Sequence, residues 1–281
     1  MSLRNLPEIR AERLPSVCAF DPDPDAVDRW NAGIHAAQSQ ENTISILDVI
    51  GEDWWTGGGV TSKRVAAALR AIGDQEVFVD LNSPGGDFFE GVAIYNTLRA
   101  HPHKVTVRIL GLAASAASVI AMAGDEIEIG KAGFIMVHNA WVVAVGNRHD
   151  LASAAETLTP FDDAMATVYA DRSGAKKAKA AEWMDNETWF NGEQAVEAGL
   201  ADGFLAADQV AQDEKRAQAA NDLKPARIAE HGLARAGLSR DKRRSLIGEI
   251  ASRSAVASGS RPAVADDITA SLQKLRSTLT S

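Results

Sequence analysis

Cysteine is nearly absent from this chain, since Cys18 is the only one among 281 residues. One cysteine excludes an internal disulfide and a cysteine-based metal cluster, and it suits a reducing compartment. Long hydrophobic runs are missing too, because no apolar stretch approaches the roughly 20 residues that a membrane-spanning helix needs. Residues 1–13 are charged and lack the apolar core of a signal peptide. We therefore expect a soluble cytoplasmic protein that does not insert into a membrane.

Positive charge is also scarce, and the formal net charge is -9. The first 204 residues hold 16 Lys and Arg against 29 Asp and Glu, whereas residues 205–281 hold 13 against 9. An acidic body with a mildly basic tail is not typical of a nucleic-acid-binding domain, so we expect no nucleic-acid partner. The basic tail is suited to contact an acidic partner, including the body of its own chain.

Several familiar functional motifs do not occur. The sequence has no His-Glu-x-x-His metal site, no phosphate-binding P-loop and no dinucleotide-binding glycine fingerprint. It also lacks the Gly-x-Ser-x-Gly elbow of the ordinary α/β-hydrolases. We expect neither a metal nor a cofactor.

Hydrophobic residues make up 46% of the chain, which is enough to bury a substantial core. Between residues 41 and 205, strand and helix patterns alternate, which predicts an α/β core with parallel strand pairing. The predicted strands are 44–50, 77–81, 105–110, 126–129 and 134–137. The predicted helices are one that begins at Thr61 or Ser62, then 88–99, 119–123, 151–170, 175–184 and a short one that ends near residue 198.

The two flanks of this core have a different composition. Residues 1–40 show little pattern and include the turn-rich run 21–25, so we expect an irregular segment. Aromatic residues are missing beyond residue 206, and Ala, Arg, Lys, Gln and Ser dominate there. This composition predicts a mostly helical, partly disordered extension over 206–281. Within it we expect a linker at 254–263 and a final amphipathic helix at 267–279.

Ser115 stands where a predicted strand gives way to an apolar helix. A serine there lies beside free backbone N–H groups and the positive end of a helix dipole. At such a position a hydroxyl can act as a nucleophile and an oxyanion can be held. Most serines before helices are simple caps, so this segment alone leaves both interpretations open.

Three further segments carry chemistry that would suit a reactive serine, each with an ordinary structural alternative. The glycine-containing loop 82–87 can present a backbone N–H to a negative oxygen, or it is a tight turn. His138 follows an apolar strand at the end where ligand-facing residues gather in α/β sheets, or it is a core-edge histidine. Asp185 and Glu187 precede an aromatic pair, where an acid can orient a histidine, or they form a solvated turn.

Taken in order, these segments resemble the proteolytic subunit of Clp proteases. The resemblance rests on Asn-Ser-Pro-Gly-Gly at 82–86, Gly-x-Ala-Ala-Ser at 111–115, Met-Val-His at 136–138 and Ala-Val-Glu-Ala-Gly-Leu-Ala-Asp at 195–202, and it covers about residues 44–204. The Glu-Thr-Trp-Phe run at 187–190 and the Ala/Arg-rich extension are more similar to the phage and prophage branch, including head-maturation proteases.

The resemblance implies a repeated β-β-α superhelical core of the Clp/crotonase type and a Ser-His-acid mechanism. Ser115 matches the family nucleophile and His138 the general base. The backbone N–H groups of Gly86 and Ala116 match the two donors of the oxyanion hole.

The acid is less clear from the residues alone. Counting back without gaps from the shared segment 195–202, the family aspartate falls on Glu187, whose carboxylate is one methylene longer. Asp185 lies two residues upstream and serves as the alternative if the loop is shifted. The domain organisation implied is an irregular 1–40, a Clp-like protease domain at 41–205 and the extension 206–281.

The resemblance also implies an assembly, since family members form homo-oligomers of stacked rings with the active sites inside a chamber. The helix 151–170 and a strand-like segment at 139–145 would contact the other ring. Asn139-Ala140-Trp141 departs here from the Gln-Pro that often follows the family histidine. The implied substrates are proteins or peptides, including capsid or scaffold proteins, and a Clp ATPase is an implied partner.

Two other classes remain as alternatives. A crotonase-type acyl-CoA enzyme shares the architecture and the oxyanion hole but needs no Ser-His-acid order. A non-catalytic capsid-assembly or scaffold protein would use residues 206–281 as its working part. A serine-directed fluorophosphonate separates the first alternative from a serine protease.

Overall fold

The computed structural model describes residues 22–38, 41–53, 55–141, 144, 146–236 and 238–257. Its strands are β1 Ile34–Ala36, β2 Thr43–Ile46, β3 Val77–Ser83, β4 Val105–Ala114, β5 Glu126–Ile129, β6 Phe134–Val137, β7 Thr188–Asn191, β8 Gly203–Phe204 and β9 Val210–Gln212. Its α-helices are α1 Pro24–Arg29, α2 Ser62–Ile72, α3 Phe88–Arg99, α4 Ala116–Ala121, α5 Arg148–Ser173, α6 Lys177–Asp185, α7 Gly192–Glu197, α8 Glu214–Arg235 and α9 Arg240–Ala257.

The main sheet is built around β4, whose ten residues are all buried. The sheet order is β2-β3-β4-β5-β8, and every one of these pairs is parallel. The first half of β4 pairs with β5, whereas its second half pairs with β6, which is parallel to β4 and antiparallel to β7. The predicted α/β class and parallel pairing are confirmed. Because β4 changes partner along its length, its carboxyl end lies beside β6 rather than β5.

Apolar residues of the strands form the core between the sheet and the helices. Val79, Val107, Ile109 and Ile127 are fully buried and lie on three neighbouring strands. Burial of such side chains is worth about 1.5–3 kcal/mol each. Among the helices that the structure describes, none is both long and apolar enough to cross a membrane.

The predicted strand 44–50 is too long, because the regular strand β2 ends at Ile46. Asp48 lies at a bend, and its carboxylate accepts a hydrogen bond from the Val49 N–H at 2.8 Å. Ile50 then makes only isolated bridges, one with Val60 and one with Gly86. That second bridge ties this loop to the glycine that the family resemblance places in the oxyanion hole.

The N-terminal flank is more ordered than its composition suggests. The expectation of an irregular segment is wrong for residues 22–38, which contain α1 and β1. Asp23 caps α1 through its carboxylate, and Pro24 occupies the first helical turn, where a missing N–H costs nothing. The turn-rich run therefore leads into a helix. Strand β1 pairs antiparallel with β9, which lies far along the chain.

The C-terminal flank is mostly helical over the described residues, as expected, since α8 and α9 occupy most of it. The expected linker at 254–263 is wrong for its first part, because α9 continues to Ala257. The expected helix at 267–279 lies outside the described residues. The domain boundaries expected near residues 40 and 205 stay predictions.

A buried ion pair between β3 and β4 offers a test of this sheet. Asp80 and Arg108 lie opposite each other, their side chains are 2% and 7% exposed, and Arg108 Nε donates to Asp80 Oδ1 at 2.6 Å. Arg108→Met should lower the free energy of unfolding by about 3 kcal/mol, because it leaves a carboxylate buried without its partner. Adding Asp80→Leu should recover most of that loss in urea unfolding, and a double variant as unstable as the single one would contradict this account.

Candidate active site

Ser115 occupies the N-cap position of α4 but does not act as a cap. Its side chain makes no capping hydrogen bond, and its backbone has φ 55°. A non-glycine residue with this φ is strained and persists only where its surroundings hold it. Here the Ser115 N–H donates to the Met136 carbonyl at 3.0 Å, which fixes the corner between β4 and α4.

The parallel register of β4 and β6 brings Ser115 and His138 together. Ala114 lies opposite Met136, so the residues that follow both strands emerge at the same edge of the sheet. His138 Nε2 lies 2.7 Å from Ser115 Oγ, within hydrogen-bonding distance. The serine hydroxyl is thus directed to a base instead of to the helix, which is the geometry of an activated nucleophile.

The glycine loop that follows β3 packs against this corner. A Cβ on Gly85, which has φ +87°, would lie 2.8 Å from the Ser115 Cβ, and one on Gly86, at φ +145°, would lie 2.2 Å from the Ile50 carbonyl oxygen. Only glycine fits either position.

The two amides that the resemblance places in the oxyanion hole are not used by the neighbouring backbone bonds. Two backbone hydrogen bonds, both 2.9 Å long, join Ile50 to the glycine loop. The Ile50 N–H donates to the Gly85 carbonyl, and the Asp87 N–H donates to the Ile50 carbonyl. Neither bond uses the Gly86 N–H. Ala116 is the first residue of α4, and its N–H therefore has no acceptor within the helix.

The antiparallel register of β6 and β7 ends next to both Glu187 and His138. Val137 lies opposite Thr188 in its last pair, and His138 and Glu187 are the residues that flank that pair. Glu187 is exposed, with φ 46° at the entrance to β7. Asp185 is engaged elsewhere, since its Oδ1 accepts a hydrogen bond from Asn139 Nδ2 at 2.8 Å. Among the described residues, no carboxylate is hydrogen-bonded to His138, so Glu187 acts on it through its charge.

His138 is only 8% exposed, and this burial lowers the pKa of its imidazole. The charges of Asp23, Glu187 and Asp162 oppose that effect and raise the pKa, but burial dominates. A lowered pKa keeps the imidazole neutral near pH 7, which is the form that can accept a proton from a hydroxyl.

Sequence reasoning missed Asp23 and Asp162 as neighbours of His138. Asp162 lies on α5, its carboxylate accepts the Ala140 N–H at 2.7 Å, and burial raises the pKa of that carboxyl. No local pattern marks it, because the contact depends on how α5 packs. Asp23 lies in the run 21–25, which the sequence marked only as turn-rich. The Asp162 bond also uses a backbone N–H of the expected strand-like segment 139–145, and the described residues 139–141 form no strand.

Two cavities meet at this site. A small one of about 20 Å³ contains Ser115, and its lining is completed by Gly86, Phe88, Ala116, His138, Asn139, Ala140, Trp141 and Met165. A larger one of about 490 Å³ shares His138 and residues 139–141 with it, and Asp23, Asp185 and Glu187 also line it. Its remaining wall comes in part from His231 and Arg235 of α8, which sequence reasoning also missed.

Ser118, the second serine of the α4 segment, is fully buried. Its Oγ donates to the Ser115 carbonyl at 2.6 Å and lies 2.7 Å from the Tyr169 hydroxyl, whose pKa is raised by burial. These contacts give Ser118 a packing role between α4 and α5. Within the described part of the chain, no group of three or more His, Cys, Asp or Glu residues could hold a metal ion.

An α/β sheet with a hydrogen-bonded Ser-His pair at adjacent strand ends and a glycine loop beside it is the arrangement of a hydrolase site. Comparison with known proteins agrees with that class. The Clp protease family model matches residues 60–208, which is more than half of the chain. This protein belongs to the Clp protease family, which is a family of peptidases.

Individual relatives carry the same description. The chain is 31% identical over 150 residues to "ATP-dependent Clp protease proteolytic subunit 1" of Streptomyces avermitilis, covering 51% of this chain and 69% of that protein. It is 31% identical over 137 residues to the "ATP-dependent Clp protease proteolytic subunit" of Deinococcus radiodurans, covering 47% of this chain and 66% of the relative. The subunit of Ligilactobacillus salivarius is likewise 31% identical over 137 residues, with 47% and 68% covered.

The histidine environment predicts a titration that needs no enzyme assay. In NMR spectra the imidazole of His138, assigned by its loss in His138→Gln, should titrate with a midpoint below 6.5 because burial disfavours the charged form. Glu187→Gln should lower the midpoint further, since it removes a charge that favours the imidazolium, whereas Asp185→Asn should leave it in place. A larger shift in Asp185→Asn than in Glu187→Gln would reverse the assignment of the two acids.

Proposed function

We propose that this protein is a serine endopeptidase in which Ser115 is the nucleophile, His138 the general base and Glu187 the orienting acid. The observation that carries the proposal is the 2.7 Å separation of His138 Nε2 and Ser115 Oγ. Membership of a peptidase family and the strained backbone of Ser115 support it.

In the first half of the proposed reaction, Ser115 becomes acylated. His138 Nε2 takes the proton of the Ser115 hydroxyl as Oγ attacks the carbonyl carbon of the scissile peptide bond. The negative oxygen of the tetrahedral intermediate accepts hydrogen bonds from the N–H groups of Gly86 and Ala116, and one such donor is typically worth about 2.7–4 kcal/mol of barrier. His138 then protonates the leaving amine, the C–N bond breaks, and an ester to Ser115 remains.

In the second half, water hydrolyses the ester. His138 takes a proton from the water as its oxygen attacks the ester carbonyl, and the same two amides hold the new oxyanion. His138 returns the proton to Ser115 Oγ as the ester C–O bond breaks, which releases a peptide carboxylic acid that then loses its proton to water. The lowered pKa of His138 suits both halves, because the base must be neutral before each attack.

Two observations favour Glu187 over Asp185 as the orienting acid. Glu187 and His138 flank the last residue pair of the β6–β7 register, and the Glu187 charge opposes the lowering of the His138 pKa by burial. Asp185 is bonded to Asn139. A carboxylate in this role holds the imidazole in place and stabilises its protonated form in the transition state.

We further propose the finer features that the family resemblance implies. These are a β-β-α superhelical core, a homo-oligomer whose rings enclose the sites in a chamber, and a cytoplasmic location. The Glu-Thr-Trp-Phe run and the extension beyond the family match favour the phage branch, with capsid or scaffold proteins as substrates in head maturation. Because the relatives are described as ATP-dependent, degradation of proteins with a Clp ATPase partner is the second candidate.

Substitution of the nucleophile tests the central assignment. Ser115→Ala should reduce cleavage of fluorescein-labelled casein by at least about 10³-fold, because the remaining groups cannot form the acyl-enzyme. The matched control is Ser45→Ala, since Ser45 is exposed on β2, and it should cleave at the wild-type rate. Cleavage in Ser115→Ala equal to that of the control would rule out Ser115 as the nucleophile.

A further inference from the structure

Helix α8 lies outside the part of the chain that matches the protease family, yet it reaches the candidate active site. The family match ends at residue 208, and α8 covers Glu214–Arg235. At its start the chain is held by β9, which pairs with β1, and by the Asp213 N–H bond to the Gly33 carbonyl at 2.8 Å. A helix of this length spans about 33 Å, enough to run from that anchor across the face of the protease domain.

Two basic side chains of α8 bond the helix to earlier parts of the chain. Arg216 donates to the Leu47 carbonyl and Lys224 Nζ to the Asp28 carbonyl, each at 2.6 Å. This confirms that the basic tail contacts its own chain.

A buried ion pair joins Arg227 of α8 to Asp53, and their side chains are 7% and 4% exposed. Glu230 of the next turn accepts a hydrogen bond from the Trp55 indole N–H at 2.9 Å. Asp53 and Trp55 belong to the loop that begins with Ile50, which bridges to Gly86. Helix α8 is therefore docked on the segment next to one proposed oxyanion donor.

On the other side of the site, His231 packs against Trp141 with ring centroids 4.7 Å apart. His231 is 5% exposed, and neither of its ring nitrogens has a hydrogen-bond partner in the described part of the chain, so its contribution there is the ring contact. Trp141 in turn lines the cavity around Ser115. That cavity is small, at about 20 Å³, which is about the room that one water molecule needs.

We propose that α8 is an autoinhibitory strap: docked through Arg227 and His231, it holds Trp141 against the Ser115 cavity, and a polypeptide substrate reaches Ser115 only after the strap lifts. The proposal rests on the proposed peptidase function. It adds that the chain regulates its own site with a segment beyond the family match.

The strap contains a point at which its docked half can separate from its anchor. Pro225 lies inside α8, and an interior proline removes one backbone hydrogen bond from a helix. Residues 226–235, which carry the contacts to Asp53, Trp55 and Trp141, follow this weak point directly. The pairing of β1 with β9 lies before it, so the strap stays tethered when the docked half lifts.

The test compares full-length variants by the initial rate of casein cleavage and subtracts the rate of the same variant carrying Ser115→Ala. Arg227→Asp should raise the Ser115-dependent rate at least about tenfold, because removing one partner of a buried ion pair shifts docking strongly toward the open state. Lys215→Asp is the matched control, since it makes the same charge change at an exposed position of α8 and should leave the rate unchanged.

His231→Ala provides a second route that leaves the ion pair intact. It removes the ring that contacts Trp141 and should also raise the Ser115-dependent rate, whereas His149→Ala, at an exposed position on α5, should not. Hydrogen exchange of the amides 226–235 should be faster in both strap variants than in their controls. If the two strap variants cleave at or below the wild-type rate, the strap proposal is overturned.

The two proposals fail in different ways. If Ser115→Ala leaves cleavage unchanged in wild type and in both strap variants, the nucleophile assignment is wrong, and the strap proposal that rests on it is overturned as well. If cleavage depends on Ser115 but is not raised by either strap variant, the peptidase function stands and the strap alone is overturned.

Discussion

The site depends on the backbone of Ser115, which is held at φ 55° between the end of β4 and the start of α4. Two neighbours hold it there: the Met136 carbonyl accepts its N–H, and the glycine loop packs so closely that a Cβ on Gly85 would lie 2.8 Å from the Ser115 Cβ. Strain of this kind costs of order 1–3 kcal/mol and must be offset by the packing of the surrounding sheet. This backbone conformation directs the Ser115 hydroxyl to His138 and leaves the start of α4 beside the hydroxyl.

Burial of His138 is the second feature on which the candidate active site depends. Desolvation lowers the pKa of the imidazole, while the charges of Asp23, Glu187 and Asp162 limit the shift. The balance gives a base that is neutral near pH 7 and whose protonated form is still stabilised by nearby carboxylates. Those three acids come from separate parts of the chain, so the electrostatics of the site depend on the tertiary fold rather than on one motif.

The parts of the site that follow strand ends were predictable from the sequence, because parallel strands bring their carboxyl ends to one edge. Ser115, His138 and the loop around Gly86 were singled out because each follows a predicted strand, and the roles expected for them came from the family resemblance. The choice between Glu187 and Asp185 was open, since it depends on the register of β7 against β6, which a sequence does not show. Asp162 and His231 could not be found, because their contacts join helices to loops 22 and 90 residues away. The described part of the extension is mostly helical, as expected, but the contacts that α8 makes near the site depend on the tertiary fold alone.

Mass spectrometry of the protein after treatment with a fluorophosphonate tests the central claim most directly. If the strained Ser115 and the neutral His138 form an activated nucleophile, the protein gains one phosphonyl group, and peptide mapping places it on Ser115. The reaction should slow as the pH falls, because protonation of His138 removes the base. An adduct on another serine would contradict the account. The absence of an adduct at pH 7 in the Arg227→Asp variant, in which α8 contacts are broken, would contradict it as well.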